Sequence, residues 1–145
     1  ETVKKLGWSP DVVHCHGWMS SLVPGYLKTT YKDDPTFKNS KVVYSVYNDG
    51  YKGTLNAEFA RKAIMNDMTA DHTELFKPAD ADSLYKGAVS YSDAVVLGDA
   101  EVSEEVLKFV KNSNKTSLPY EATADFENYY NLYEEIQNGE LVSLD

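Results

Sequence analysis

The sequence predicts an α/β fold on a parallel sheet, and three observations carry that expectation. Runs of β-branched residues alternate with amphipathic stretches of helix length, which is the pattern of βαβ units with right-handed crossovers. Each apolar run stops at a glycine-bearing turn: His16-Gly17-Trp18, Tyr47-Asn48-Asp49-Gly50 and Gly98-Asp99. If the runs are parallel strands, these three turns fall along one edge of the sheet, where open α/β sheets hold their ligands.

Glu1 to Leu6 reads as a helix stopped by Gly7, and Pro10 clears the way for a strand opening at Asp11 with the β-branched Val12 and Val13. Gly17 allows a sharp turn, after which Ser20 to about Tyr31 carries Leu22, Val23, Tyr26 and Leu27 at helical spacing, with Pro24 tolerated in the first turn. Lys32-Asp33-Asp34-Pro35 and Asn39-Ser40 are turn material ahead of the clearest strand, Lys41 to Tyr47. Asn56 to Asn66 reads as a helix with Phe59, Ala60, Ala63 and Ile64 inward, whereas Asp67 to Asp80 shows no usable period. Asp82 to Tyr91 is helical, Ala94 to Leu97 is a short strand, and Asp99 is the expected cap of a helix over Glu101 to Lys111 with Val102, Val106, Phe109 and Val110 on one face. Asn112 to Ser117 reads as a loop. From Thr123 to about 137, Phe126, Tyr129, Tyr130, Tyr133 and Ile136 form an aromatic stripe closed by Asn138-Gly139, of the kind that packs on the body of a protein or, less commonly, stacks on sugars.

The 145 residues suit one domain with a real core, at 42% hydrophobic and 26% charged. A formal charge of −9 without a basic cluster gives no grip on a phosphate backbone, so nucleic acid is not an expected partner. No apolar run approaches the roughly 20 residues of a membrane-spanning helix, and Glu1 to Lys5 is unlike a secretory signal. With a single cysteine, Cys15, and hence no internal disulfide, the expected setting is the cytoplasm. The absence of a starting methionine and of a strand before the first helix suggests a piece of a longer protein.

His14 and His16 fall on one face of their strand, since side chains alternate with period two. They would need Asp49 or His72 to complete a metal site, and that ligand set is incomplete, so no metal is expected. Cys15 between apolar neighbours reads as inert packing, and Gly50-Tyr51-Lys52-Gly53 matches no phosphate-binding fingerprint.

Pro10-Asp11-Val12-Val13-His14-Cys15-His16-Gly17-Trp18 resembles the P-D-(V/I)-(V/I)-H-x-H-D-W-H segment of glycogen and starch synthases of the ADP-glucose type. The likeness continues in order. Lys41 to Asn48 resembles the family's strand ending in T-V-H-N, Tyr51-Lys52-Gly53 resembles its Y-Q-G, and Tyr91-Ser92-Asp93-Ala94-Val95-Val96 resembles its Y-A-D-x-(I/V)-(T/V). It runs from about Gly7 to Lys111, and the tyrosine-rich end is similar to a short, Bacteroidetes-type version of the family.

The resemblance implies a Rossmann-like, three-layer (αβα) partial domain. Residues 1–145 would be a single domain, the C-terminal part of the N-terminal half of a two-domain GT-B glycosyltransferase, with a C-terminal helix over 123–137. It implies transfer of glucose from ADP-glucose to the non-reducing end of an α-1,4-glucan, with retention and without a metal. The glucan would lie largely on this half and the nucleotide on the other. Carried over position by position, His16, Trp18, Tyr47, Asn48 and Tyr51 are the candidate substrate-binding residues.

The family's aspartate before the tryptophan is Gly17 here, the histidine after it is Met19, and the catalytic histidine of T-V-H-N is Tyr47. A glycine and a tyrosine offer no group that ionises near neutral pH beside a developing oxocarbenium charge. No catalytic residue and no cofactor is therefore assigned, and this chain alone is expected to be inactive. Its expected partner is an α-1,4-glucan, with ADP-glucose only in the presence of the nucleotide-binding half. The alternatives are a degenerate, non-catalytic glucan-binding module, or a structural module that self-associates to bury its sheet edge.

Overall fold

A computed structural model describes residues 2–49, 51–122 and 126–139. Four parallel strands, β1 (Val12–His16), β2 (Lys41–Val46), β3 (Ala94–Leu97) and β4 (Thr116–Leu118), lie side by side in chain order. Val12 pairs with Lys41, Val43 with Ala94, and Ala94 with Thr116. The arrangement is the α/β parallel sheet expected from the alternating runs, and the Rossmann-like one that the resemblance implies.

Strands added in order and in one direction, with crossovers of one hand, put every crossover helix on the same face. Helices α2 (Leu22–Lys28), α5 (Ala81–Tyr91) and α6 (Glu104–Asn112) share that face. Tyr85, Ala88, Val89, Val102, Val106 and Val110 meet Cys15, Tyr44, Val46 and Val95 there in the main core. The opposite residues of the same strands, Val43, Ala94, Val96 and Leu118, are covered instead by α7 (Phe126–Asn138) through Leu132, Tyr129, Tyr133 and Ile136. The two faces follow from the two-residue period of the strands.

The first helix, α1, spans Thr2–Lys5 and stops at Gly7, whose φ is +64°. The helix expected from Ser20 begins later, because Trp18–Ser20 forms one tight 3₁₀ turn first. Helix α3 keeps only Phe59–Ala63 of the expected eleven-residue span, and Ile64 points outward at 43% exposure, since the chain is already extended there. The segment without a period, 67–80, folds around α4 (Ala70–Thr73) and a 3₁₀ turn at Glu74–Phe76. It buries Met68, Thr73 and Phe76 at spacings that match neither helix nor strand. Asp80 caps α5 by accepting from the Ser83 amide at 2.8 Å. The cap of α6 is Ser103 rather than Asp99, whose carboxylate instead accepts from the Glu101 amide at 2.9 Å and closes the turn before the helix. The loop expected over Asn112 to Ser117 ends in β4, a three-residue edge strand with only Leu118 buried. The start expected for the last helix, Thr123 to Asp125, lies outside the described residues, and its end at Asn138-Gly139 is where the sequence places it.

Lys28 reaches from α2 to Asp93 at 2.6 Å, and the same carboxylate oxygen accepts from the Val42 amide at 2.6 Å. One aspartate thereby ties a helix end to the start of β2 and sets the register of the two central strands. Among the described residues, no helix is long and apolar enough to cross a membrane.

Candidate functional site at the carboxyl edge of the sheet

The carboxyl ends of β1, β2 and β3 stand next to one another because all three strands are parallel and in register, with His16 opposite Ser45 and Val46 opposite Leu97. His16 and Tyr47, 31 residues apart, meet there, with His16 Nδ1 2.8 Å from the Tyr47 hydroxyl. The Tyr47 ring sits against Gly98 at the end of β3: a β-carbon added to that glycine would lie 2.3 Å from the ring. A large side chain at position 47 thus has its place because position 98 has none.

Gly17 adopts φ +67° and ψ 171°, a conformation open to glycine and strained for other residues. Its amide donates to Ser45 O at 3.1 Å, and its carbonyl accepts from the Tyr44 hydroxyl at 2.8 Å. A β-carbon at position 17 would lie 2.6 Å from Asp49 Oδ2. The space beside residue 17 is therefore taken by a carboxylate from the neighbouring strand end, which the Tyr85 hydroxyl holds by donating to Asp49 Oδ1. Burial, followed by that hydrogen bond and the charge of Asp49, pushes the Tyr85 phenol well above its ordinary range. The sequence marks Asp49 only as an incidental metal donor, and nothing in it marks Tyr85 or Gly98 as parts of the edge.

Trp18 is half-buried and packs on Tyr51, ring centres 4.7 Å apart at 57°. The Tyr51 hydroxyl donates to Ala79 O, so this pair forms a fixed aromatic wall. Asn48 is exposed and its amide makes no side-chain hydrogen bond among the described residues. The structure thus places His16 with Tyr47, and Trp18 with Tyr51, with Asn48 beside Tyr47 in the chain. Met19 is 84% exposed on the same rim.

The two histidines of β1 stack, ring centres 4.1 Å apart at 25°. His14 is held at both nitrogens, Nδ1 by the Tyr133 hydroxyl at 2.6 Å and Nε2 by Ser45 Oγ at 2.7 Å. Neither is left to coordinate a metal with His16. His72 is occupied elsewhere, accepting from the Thr69 amide at 3.1 Å. Burial pushes the Cys15 thiol up to about 11, which keeps it protonated and unreactive.

Burial, with the adjacent His16, lowers the His14 imidazole from 6.5 to about 4. The unfolded chain then takes up this proton first, so stability from neutral His14 is present above pH 6.5 and is lost as pH falls toward 4. The urea midpoint should fall across that window, and fall less in His14→Gln. The same fall in both proteins would clear His14 as the cause.

The model of the starch synthase catalytic domain family matches residues 1–116. The chain is 31% identical over 106 residues to a glycogen synthase of Chlorobium phaeovibrioides, covering 73% of this chain and 21% of that protein. It is 32% identical over 108 residues to one of Thermotoga petrophila, covering 73% of this chain and 22% of that protein. Against one of Clostridium perfringens it is 32% identical over 111 residues, covering 77% of this chain and 22% of that protein. The chain thus spans about a fifth of the length of these curated relatives. No solved structure matches it.

Proposed function

Because the chain belongs to the starch synthase catalytic domain family, we propose that it is the acceptor-side part of a glycosyltransferase of glycogen or starch synthesis. In this reading residues 1–145 form the C-terminal part of the N-terminal half, and an α-1,4-glucan lies along the carboxyl edge of the sheet. The observation that carries it is the gathering of His16, Trp18, Tyr47, Asn48 and Tyr51 at that edge, within the segment the family model matches. Trp18 and Tyr51 offer ring faces to the apolar side of a pyranose, the Asn48 amide can both donate to and accept from sugar hydroxyls, and the His16–Tyr47 pair adds a further polar rim.

The transfer of glucose from ADP-glucose belongs to the longer protein, whose other half would bind the nucleotide. At positions 17 and 47 this chain carries no group that ionises near neutral pH, so by itself it should bind glucan and leave ADP-glucose unbound and unhydrolysed. Gly17, with Asp49 filling the space beside it, and Tyr47, seated on Gly98, favour a second reading: a non-catalytic glucan-binding member of the family. Its location would be the cytoplasm, where a lone, unpaired cysteine is ordinary.

Calorimetric titration of the 145-residue chain with maltoheptaose and then ADP-glucose tests the proposal. Heat of binding from the glucan alone is expected, and no binding of maltoheptaose would sink it. Trp18→Ala should weaken maltoheptaose by ~1 kcal/mol, as loss of an aromatic platform does, and an unchanged affinity would remove Trp18 from the site. Release of ADP from ADP-glucose in the presence of glycogen by the longer protein would decide between the catalytic and non-catalytic readings.

A further inference from the structure

We infer that the groove between α7 and β1 is a second subsite for the same glucan, taking an uncharged stretch of the chain beyond the strand-end site. The inference rests on the glucan reading above and adds a place to it. The groove has a volume of about 450 Å³ and is lined by His14, His16, Phe126, Tyr129, Tyr130 and Tyr133. That size falls within the roughly 300–1,000 Å³ of small-molecule sites. One wall comes from the first strand, inside the family match, and the other from a helix beyond residue 116.

Three features name the occupant. Every lining side chain is a ring, and five of the six carry a polar edge, which suits a ligand with apolar faces and hydroxyl rims. The Tyr129 and Tyr130 hydroxyls have no hydrogen-bond partner among the described residues, and Phe126 and Tyr130 stand 82% and 61% exposed. Among the described residues, no lysine, arginine, aspartate or glutamate lines the groove, and burial lowers both imidazoles so that they are neutral at neutral pH. A groove whose described lining carries no charged side chain, on a chain of net charge −9, offers nothing to a phosphate or a nucleotide sugar and suits a neutral polyol.

Continuity fixes where the occupant comes from. His16 borders the groove and also holds the Tyr47 hydroxyl at the strand ends. Tyr129 stands on the same rim, its ring centre 6.0 Å from that of His14, and burial with Tyr47 and Glu121 nearby raises its phenol. A glucan lying over Tyr47 therefore passes His16 and runs on along the rings of α7.

The test is titration of the 145-residue chain and of its Phe126→Ala/Tyr130→Ala variant with maltotriose and maltoheptaose. Both side chains are exposed while Leu132 of the same helix is 4% exposed, so the variant keeps the helix seated. The unsubstituted chain should bind maltoheptaose more tightly than maltotriose. The variant should lose about tenfold for the longer sugar, two ring platforms' worth, and little for the shorter. Unchanged maltoheptaose affinity in the variant, with the unsubstituted chain still binding, overturns the subsite and leaves the strand-end reading standing. An equal loss for both sugars overturns the claim that the groove lies beyond that site. A dimer that the variant breaks, with glucan affinity intact, assigns the face to a second copy instead. No glucan binding by the unsubstituted chain removes both readings.

Discussion

Phe76→Ala should lower the unfolding free energy by about 3–5 kcal/mol, the range for removing a buried aromatic ring. Phe76 is fully buried in a cluster with Met68, Ala79 and Leu84, and it lies parallel to Tyr91 at 10° with ring centres 6.1 Å apart. Its ring is pressed against the backbone of Gly87 in α5, where an added β-carbon would come within 2.4 Å of it. A glycine has no side chain with which to fill the hole that alanine would leave. The ring is also what joins the irregular segment 67–80 to the crossover helix. Urea unfolding followed by tryptophan fluorescence measures the effect, and a loss under ~1.5 kcal/mol would mean that the segment collapses into the cavity.

Gly17→Asp installs the aspartate of the H-x-H-D-W motif that this segment resembles, and it should cost stability, by about 2–4 kcal/mol. About 1–3 kcal/mol of that comes from holding a side-chain-bearing residue at φ +67° and ψ 171°. The rest comes from a new carboxylate whose first carbon would stand 2.6 Å from Asp49 Oδ2, beside a like charge. Adding Asp49→Ala should recover the crowding and charge part but not the backbone part. Full recovery in the double variant would show that the backbone rearranges freely. Zero cost in the single variant would show that Asp49 swings aside. The expected cost couples position 17 to Asp49, whose carboxylate takes the space a side chain there would need.

The sheet was legible because each long strand is a run of β-branched or aromatic residues ended by a turn, as in Lys41 to Tyr47, and α6 because its apolar residues keep a clean helical period. β4 was not, since Thr116-Ser117-Leu118 is short and largely polar and becomes a strand only because β3 offers it an edge. Segment 67–80 hid Met68, Thr73 and Phe76 for a similar reason: their burial comes from the α2–α5 surface rather than from any local period. At the site, neighbours in sequence were readable and neighbours in space were not. His16, Trp18 and Asn48 announce themselves by their place in a motif. The seat of Tyr47 on Gly98 and the arrival of Asp49 beside Gly17 depend on where parallel strand ends meet, and no spacing within one segment records that. The aromatic stripe of the last helix proved to have two uses along one face, since Tyr129, Tyr133 and Ile136 pack inward while Phe126 and Tyr130 face out.

The strand order has a consequence for how the chain assembles as it is made. Each strand finds its partner in the one synthesised just before it, so the sheet and its helical face can form in chain order, with the crossover from Val46 to Ala94 the longest closure. The second face follows a different schedule. Val43, Ala94, Val96 and Leu118 wait for α7, and until Phe126–Asn138 has left the ribosome they present a continuous apolar surface to water. A nascent chain halted just short of that helix is a nearly complete sheet with one sticky side, the species that chaperones bind and that aggregates form from.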